Sequence, residues 1–438
     1  MTHNQLSSLT AWNHLMNLQY IDISNNSLTS LAAFKSLIHL RSLKVDNNQI
    51  TSLDGIKFHK GLQTLRARGN LIEQVDLDGA TLHQLTTLDL KSNAITHVAN
   101  IAHLPALSTL NLENNALTTF ALDAPLPTLR YLHLNNNALT ALSLHNAPHL
   151  HPRPRARHRI DSLSLRDQRG DAPLDVPHLL SRAYEVRKLY LSGNFLADGF
   201  HPRIDLLNLQ LLELANCGLS SLPPDVGLTM PNLRVLNLNM NALSDLAPLA
   251  AVPRLKRVLV AGNRLADPAA LVGVLSGWGC LSALDVRDNP VTQGFYAPVG
   301  VVVGGAAAGV VALRNNKGRD GEGDGEGEGE DEAGMFVLGD QDAERDARYS
   351  ARLDMDTRVR RRLWETMVGK RCARVRKLDG LSVAGRKRKE VEGIEGGDGQ
   401  EEKDLVWVAM AEKGLVKRKG DEKNVVEGGG GEEQQSSQ

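Results

Sequence analysis

The chain has 438 residues, with 42% hydrophobic side chains, 4% aromatic, 23% charged and a formal net charge of −1. That length exceeds one ordinary domain, and so balanced a charge excludes a global basic field for nucleic acid or an anionic membrane. Three dispersed cysteines, Cys217, Cys280 and Cys372, with no cysteine cluster around the repeats described next, point to a reducing, intracellular setting.

In chain order, the first element recurs. The template L-x-x-L-x-L-x-x-N-x-L fits Leu18, Ile21, Ile23, Asn26 and Leu28, then repeats mostly every 22 or 23 residues. Twelve copies can be aligned, the last being Leu281, Leu284, Val286, Asn289 and Val291. The asparagines of this series are Asn26, Asn48, Asn70, Asn93, Asn115, Asn137, Asn194, Asn241, Asn263 and Asn289, with Gln168 and Cys217 in the remaining two slots. The x-L-x-L-x core of each copy reads as a short strand with its leucines inward, so the copies stack as a parallel sheet. An asparagine amide, both donor and acceptor, can satisfy buried backbone groups of adjacent coils, and the Cys217 thiol reads as a buried stand-in. Leu28, Leu31, Phe34, Leu37 and Leu40, spaced by three, predict 3₁₀ turns on the opposite side. The fold class is therefore an α/β solenoid, a leucine-rich repeat arc with a parallel concave sheet, a 3₁₀ or irregular convex side and a helical C-terminal cap.

Asn4, Leu6 and Leu9 match Asn26, Leu28 and Leu31, so the chain opens in the middle of a coil. The expectation is a shortened form of a longer protein, or a separate segment over that end. Residues 143–159 interrupt the pattern with His145, His149, His151 and His158 among prolines and arginines; a solvated loop is expected there, and no metal site. The repeats are assigned to 1–298. Residues 299–334 form a low-complexity linker, whose apolar run from Val299 to Leu313 is shorter than the roughly 20 residues that span a bilayer. Residues 335–385 are assigned to the cap: Asp356 is the expected helix N-cap, Val359, Leu363, Trp364, Met367 and Val368 recur at helical spacing, and Val375–Leu381 reads as a last strand and turn. Residues 386–438 form a charged tail holding Arg386–Lys389 and the apolar run Leu405–Met410.

No nucleotide loop, zinc-hydrolase or serine-nucleophile motif is present, so the expectation is a non-enzyme without cofactor, metal or small-molecule substrate. Function then falls to the strand positions that alternate with the buried leucines. In the C-terminal half these are Tyr190, Leu211, Glu213, Val235, Asn237, Arg257 and Leu259, an expected partner-binding surface on which Tyr190, Leu211, Val235 and Leu259 would form an exposed apolar stripe.

The phrases KLYLSGNFL, MPNLRVLNLNMNALSDLAPL, RLKRVLVAGNRL and LDVRDNPVTQGFY, together with the 338–381 stretch ending in RKLDGL, resemble fungal spindle pole body scaffolds of the septation-initiation and mitotic-exit networks, a family related in repeat type to centriolin. The resemblance implies a scaffold held at a spindle pole anchor that recruits a small GTPase module and kinases, with no nucleic acid or membrane as partner. Two alternatives stand beside it: a regulatory subunit of protein phosphatase one, which would want acidic and aromatic clusters along the concave face, and a ribonucleoprotein component, which would want a basic stripe.

Overall fold

The computed structural model describes residues 4, 6, 15–122, 124–144, 158–170, 174, 184–196, 199–202, 204–297 and 336–383. Each of the twelve copies supplies one strand, from Tyr20–Asp22 in the first to Ala283–Asp285 in the twelfth, and these pair in parallel in chain order. The register steps by one whole copy: Ile21 stands opposite Leu43, Leu43 opposite Leu65, and Val258 of the eleventh copy opposite Leu284 of the twelfth. Side chains at these central positions are nearly sealed, with Leu43, Leu65 and Val258 at 0% exposure. A single coil cannot enclose such residues; stacking two coils does.

The turn after each strand has one conformation throughout. The residue before each ladder position has a positive φ in all twelve copies, carried by Asn25, Asn47, Gly69, Ser92, Asn114, Asn136, Asp167, Gly193, Asn216, Met240, Gly262 and Asp288. Left-handed backbone favours Gly, Asn and Asp, which fill ten of these twelve places. The next residue then turns its amide under the coil. Asn48 Nδ2 donates to Val45 O at 3.0 Å and to Ile23 O of the preceding coil at 3.1 Å, while its Oδ1 accepts from Leu28 N at 3.0 Å. Gln168 does the same with a longer arm, donating to Leu134 O at 2.9 Å and accepting from Leu139 N at 3.1 Å. Leu6 N donates to Asn26 Oδ1 at 3.2 Å, so Leu6 already lies in coil register with the first copy.

The convex side is more varied than three-residue spacing predicts. 3₁₀ turns such as Ala32–Phe34 and Ile101–His103 are present. Two small parallel pairs also occur, Gln74–Asp76 with His97–Ala99 and Thr119–Leu122 with Ala141–Leu144. Helices α1 (Val226–Thr229) and α2 (Pro268–Leu275) back the later coils. Longer copies leave more chain to bridge at those points, and the extra residues take up helix. The interruption is also narrower than expected. Residues 143 and 144 end a convex strand, and His158 opens the strand His158–Ser164 of copy seven. His145, His149 and His151 lie outside the described residues, as do the proposed linker 299–334, the tail and Leu405–Met410.

The cap consists of α3 (Ala343–Ser350), α4 (Met355–Arg371), and the strands Lys377–Leu378 and Leu381–Ser382. Lys377–Leu378 pairs in parallel with the twelfth copy and then turns back antiparallel. α4 starts one residue beyond Asp354, whose carboxylate accepts from Thr357 N at 2.9 Å; Asp356, the expected cap, lies in the first turn instead. The buried face of α4 carries Thr357, Arg361, Trp364, Met367 and Val368, and it packs on α2. Val359 and Leu363 are only half-buried, because the helix is rotated to place Arg361 inward.

Candidate functional site

Alternation along each strand sends two side chains per copy to the concave face. In the N-terminal half, Arg66 and Asp89 at the strand ends and the residues two beyond such ends, Asp46, Arg68, Lys91 and Glu113, form diagonal ion pairs. Arg66 Nη2 meets Asp46 Oδ2 at 2.7 Å, Arg68 meets Asp89, and Lys91 Nζ meets Glu113 Oε2 at 2.9 Å. Asn135 Nδ2 donates to Glu113 at 2.6 Å and its Oδ1 accepts from Ser164 Oγ at 2.7 Å. Each cation reaches forward or back by one coil. Periodicity places Asp46 and Asp89 on this face without showing their partners, because the pairing runs diagonally between copies.

In the C-terminal half, the structure corrects the expected stripe. Leu211, Val235 and Arg257 are half-buried, standing side by side in register. Tyr190, Glu213, Asn237 and Leu259 are buried, at 2%, 3%, 4% and 5% exposure. Two contacts account for this. Arg166 grips Glu213 through two hydrogen bonds of 2.7 and 2.8 Å and lays its guanidinium over the Tyr190 ring, 4.4 Å from the centroid. Residues 336–339, just ahead of the cap, then lie across the later coils as a strap. Phe336 O accepts from Asn237 Nδ2 at 3.2 Å and from Asn239 Nδ2 at 2.9 Å, and the Phe336 ring reaches Gly193. Leu338 packs with Ala261 and Met240. Arg287 donates to Gly339 O at 3.0 Å and is itself held by Asp285 at 2.6 Å. Leu259 sits in register between Asn237 and Asp285, the residues these contacts engage. The signal was present in Phe336-Val337-Leu338-Gly339, an alternating apolar pair on the far side of a glycine-rich stretch.

The remaining open surface among these positions is therefore the polar N-terminal half plus Leu211, Val235 and Arg257. Two titratable groups beside this face are committed to structure. Asp167 is pushed up to about 6, by burial first, with Arg166 opposing and Glu213 adding. The Cys217 thiol is pushed up to about 12 by burial and donates to Leu191 O at 3.3 Å, a structural substitute for asparagine. Among the described residues no group of three His, Cys, Asp or Glu side chains is arranged to hold a metal, and no helix is long and apolar enough to cross a membrane.

Known proteins share this architecture. The family described as leucine-rich repeat matches residues 57–151, and the two-copy leucine-rich repeat family matches 17–58 and 207–251. Over 397 residues, 87% of its length, the chain is 42% identical to the septation initiation network scaffold protein cdc11 of Schizosaccharomyces pombe, of which it spans 36%. It is 33% identical over 131 residues to the geranylgeranyl transferase type-2 subunit alpha of Bos taurus, covering 30% of this chain and 22% of that one. Among solved structures, the LRIM1/APL1C complex superposes with a TM-score of 0.50 at 21% identity, over 66% of this chain and 51% of that one, which supports the fold alone.

Proposed function

From the premise that the chain belongs to the leucine-rich repeat family of septation initiation network scaffolds, we propose that it is a non-enzymatic scaffold, captured at the spindle pole through its concave face and holding signalling proteins there. The observation that carries this is the relationship to the yeast scaffold, 42% identity over 87% of the chain, in a protein whose repeats and cap stack into one sheet. A spindle pole anchor, a small GTPase module and kinases are the partners the relationship points to. Because the chain spans about a third of that scaffold, the partners bound by the remaining length are not assigned to it. Leu211 and Val235 are the apolar pair best placed to meet a partner, being paired in register and only partly covered.

The test follows a fluorescently tagged chain through division. Wild type should concentrate at spindle poles. Leu211→Glu with Val235→Glu should stay folded, since both side chains keep access to water, and lose that concentration at least about tenfold. Diffuse or nuclear-speckle fluorescence of the wild type overturns the scaffold reading; undiminished recruitment of the double variant moves the contact elsewhere on the arc. Leu259→Glu is a poor probe, because it would bury a charge.

A further inference from the structure

We propose that the edge where the chain enters the last coils is a docking furrow for an acidic, extended peptide of a partner protein. The proposal rests on the scaffold reading above and names the chemistry of one partner segment.

The parallel backbone ladder continues one residue ahead of the strands. Arg234 N donates to Gln210 O at 2.8 Å, Lys256 N to Arg234 O at 2.7 Å, Ser282 N to Lys256 O at 2.7 Å, and Arg376 N to Ser282 O at 2.8 Å. Side chains at these positions form a file, one per coil, at about 4.8 Å spacing. Arg234, Lys256 and Arg376 thus share one edge. Two residues earlier in their turns stand Arg254 and Arg374, both exposed. Between the last repeat and the cap this edge opens into a cavity of about 830 Å³, walled by Lys256, Arg374, Arg376 and Lys377 together with Cys280 and Ser282.

These cations differ from the others on the sheet. Arg66, Arg68, Lys91 and Arg166 each meet a carboxylate. Among the described residues no carboxylate pairs with Arg234, Lys256, Arg374 or Arg376, all of them exposed, while Lys377 is engaged by Asp340 and Arg254 by the Asn232 amide. Backbone register holds like charges close together, so an anionic ligand gains their summed field and relieves their repulsion. Among the described residues the wall contains no aromatic ring, which leaves no platform there for stacking bases and favours peptide over single-stranded nucleic acid. An extended peptide with acids at alternate residues presents them on one face, about 6.6 Å apart, between the single-coil step from Arg234 to Lys256 and the two-coil step from Lys256 past Ser282 to Arg376. The chain's own stretch 320–332 has eight acids, Glu322, Asp324, Glu326 and Glu328 among them, and is the rival occupant.

The test uses the full chain and a fluorescein-labelled (Glu-Ser)6 peptide, read by anisotropy, with (Gln-Ser)6 as control. Wild type should bind the acidic peptide and not the control, with affinity falling as salt rises. Lys256→Glu with Arg376→Glu should weaken binding at least about tenfold, and Lys256→Gln with Arg376→Gln by less, with unchanged circular dichroism. Absence of binding overturns the proposal. So does binding that emerges only after the acids of 320–332 are changed to glutamine, which would assign the furrow to the chain itself, and so does displacement by oligouridine at lower concentration than by unlabelled peptide. Spindle pole recruitment of the furrow variants is scored separately: peptide binding lost while recruitment persists is the expected separation, whereas a wild type that binds peptide yet never reaches the pole sinks only the scaffold reading.

Discussion

At the residue scale, two kinds of buried polar group are present, and they behave oppositely. Ladder amides such as Asn137, 1% exposed, meet backbone donors and acceptors on both sides and carry no charge. Buried carboxylates do carry one. Asp379 is fully buried, accepting from Val286 N, Tyr296 Oη and Trp364 Nε1, and burial together with nearby Asp285 pushes its pKa up. Asp167 is raised to about 6 by burial. A carboxyl that titrates at about 3.9 in the unfolded chain and about 6 when folded stays protonated only in the folded state between those values. Its contribution to stability is full below about pH 4 and is lost as the pH rises through about 6. Asp167→Asn, which tolerates the left-handed backbone at that position, should therefore gain on wild type in urea midpoint between about pH 4 and about pH 6.5 and level off above. A constant difference across that range would refute the assignment.

At the element scale, α4 shows how helical spacing misleads when a charge is paired. Arg361, 4% exposed, would be read as a surface residue, yet it meets Asp346 Oδ2 at 2.6 Å, Glu365 Oε1 at 3.0 Å and Phe295 O at 2.8 Å, with its guanidinium 4.5 Å from the Tyr296 ring centroid. Breaking one side of such a pair leaves Asp346 buried and uncompensated, at a cost of about 3–5 kcal/mol. Arg361→Ala should detach α3 and α4 from the last coil, seen as exposure of the Trp364 indole in its fluorescence. Arg361→Met with Asp346→Leu should restore most of the loss. If the single variant keeps the wild-type emission, the pair is not what docks the cap.

At the scale of the whole molecule, a solenoid is tied together mainly between neighbours. The strap departs from that rule, because residues 336–339 connect the cap to coils eight, ten, eleven and twelve at once. Cap and C-terminal coils should then unfold together. Phe336→Ala removes the ring at Gly193 and should cost about 3 kcal/mol. Its urea transition should split, with tryptophan fluorescence from Trp278 and Trp364 changing before far-ultraviolet circular dichroism, whereas the wild-type probes coincide. Coincident probes in the variant would show that the cap holds without the strap.

The amino-acid sequence by itself determined the number of coils, the inward leucines and the places of the ladder amides, because each depends on spacing within one copy or between adjacent copies. The relationship to a septation initiation network scaffold was also legible there, in phrases such as KLYLSGNFL and RKLDGL. Which concave residues remain open was decided only in three dimensions. Tyr190, Glu213 and Asn237 occupy surface positions by periodicity, and they are covered by Arg166 and by Phe336, which is 99 residues from Asn237 along the chain. The basic edge likewise emerges only when coils stack, since Arg234 and Lys256, and Arg376 beyond Ser282, come into one file through hydrogen bonds between backbones remote in sequence. Periodicity dictates which way a side chain points; what lies against it depends on contacts between distant segments, which no local pattern encodes.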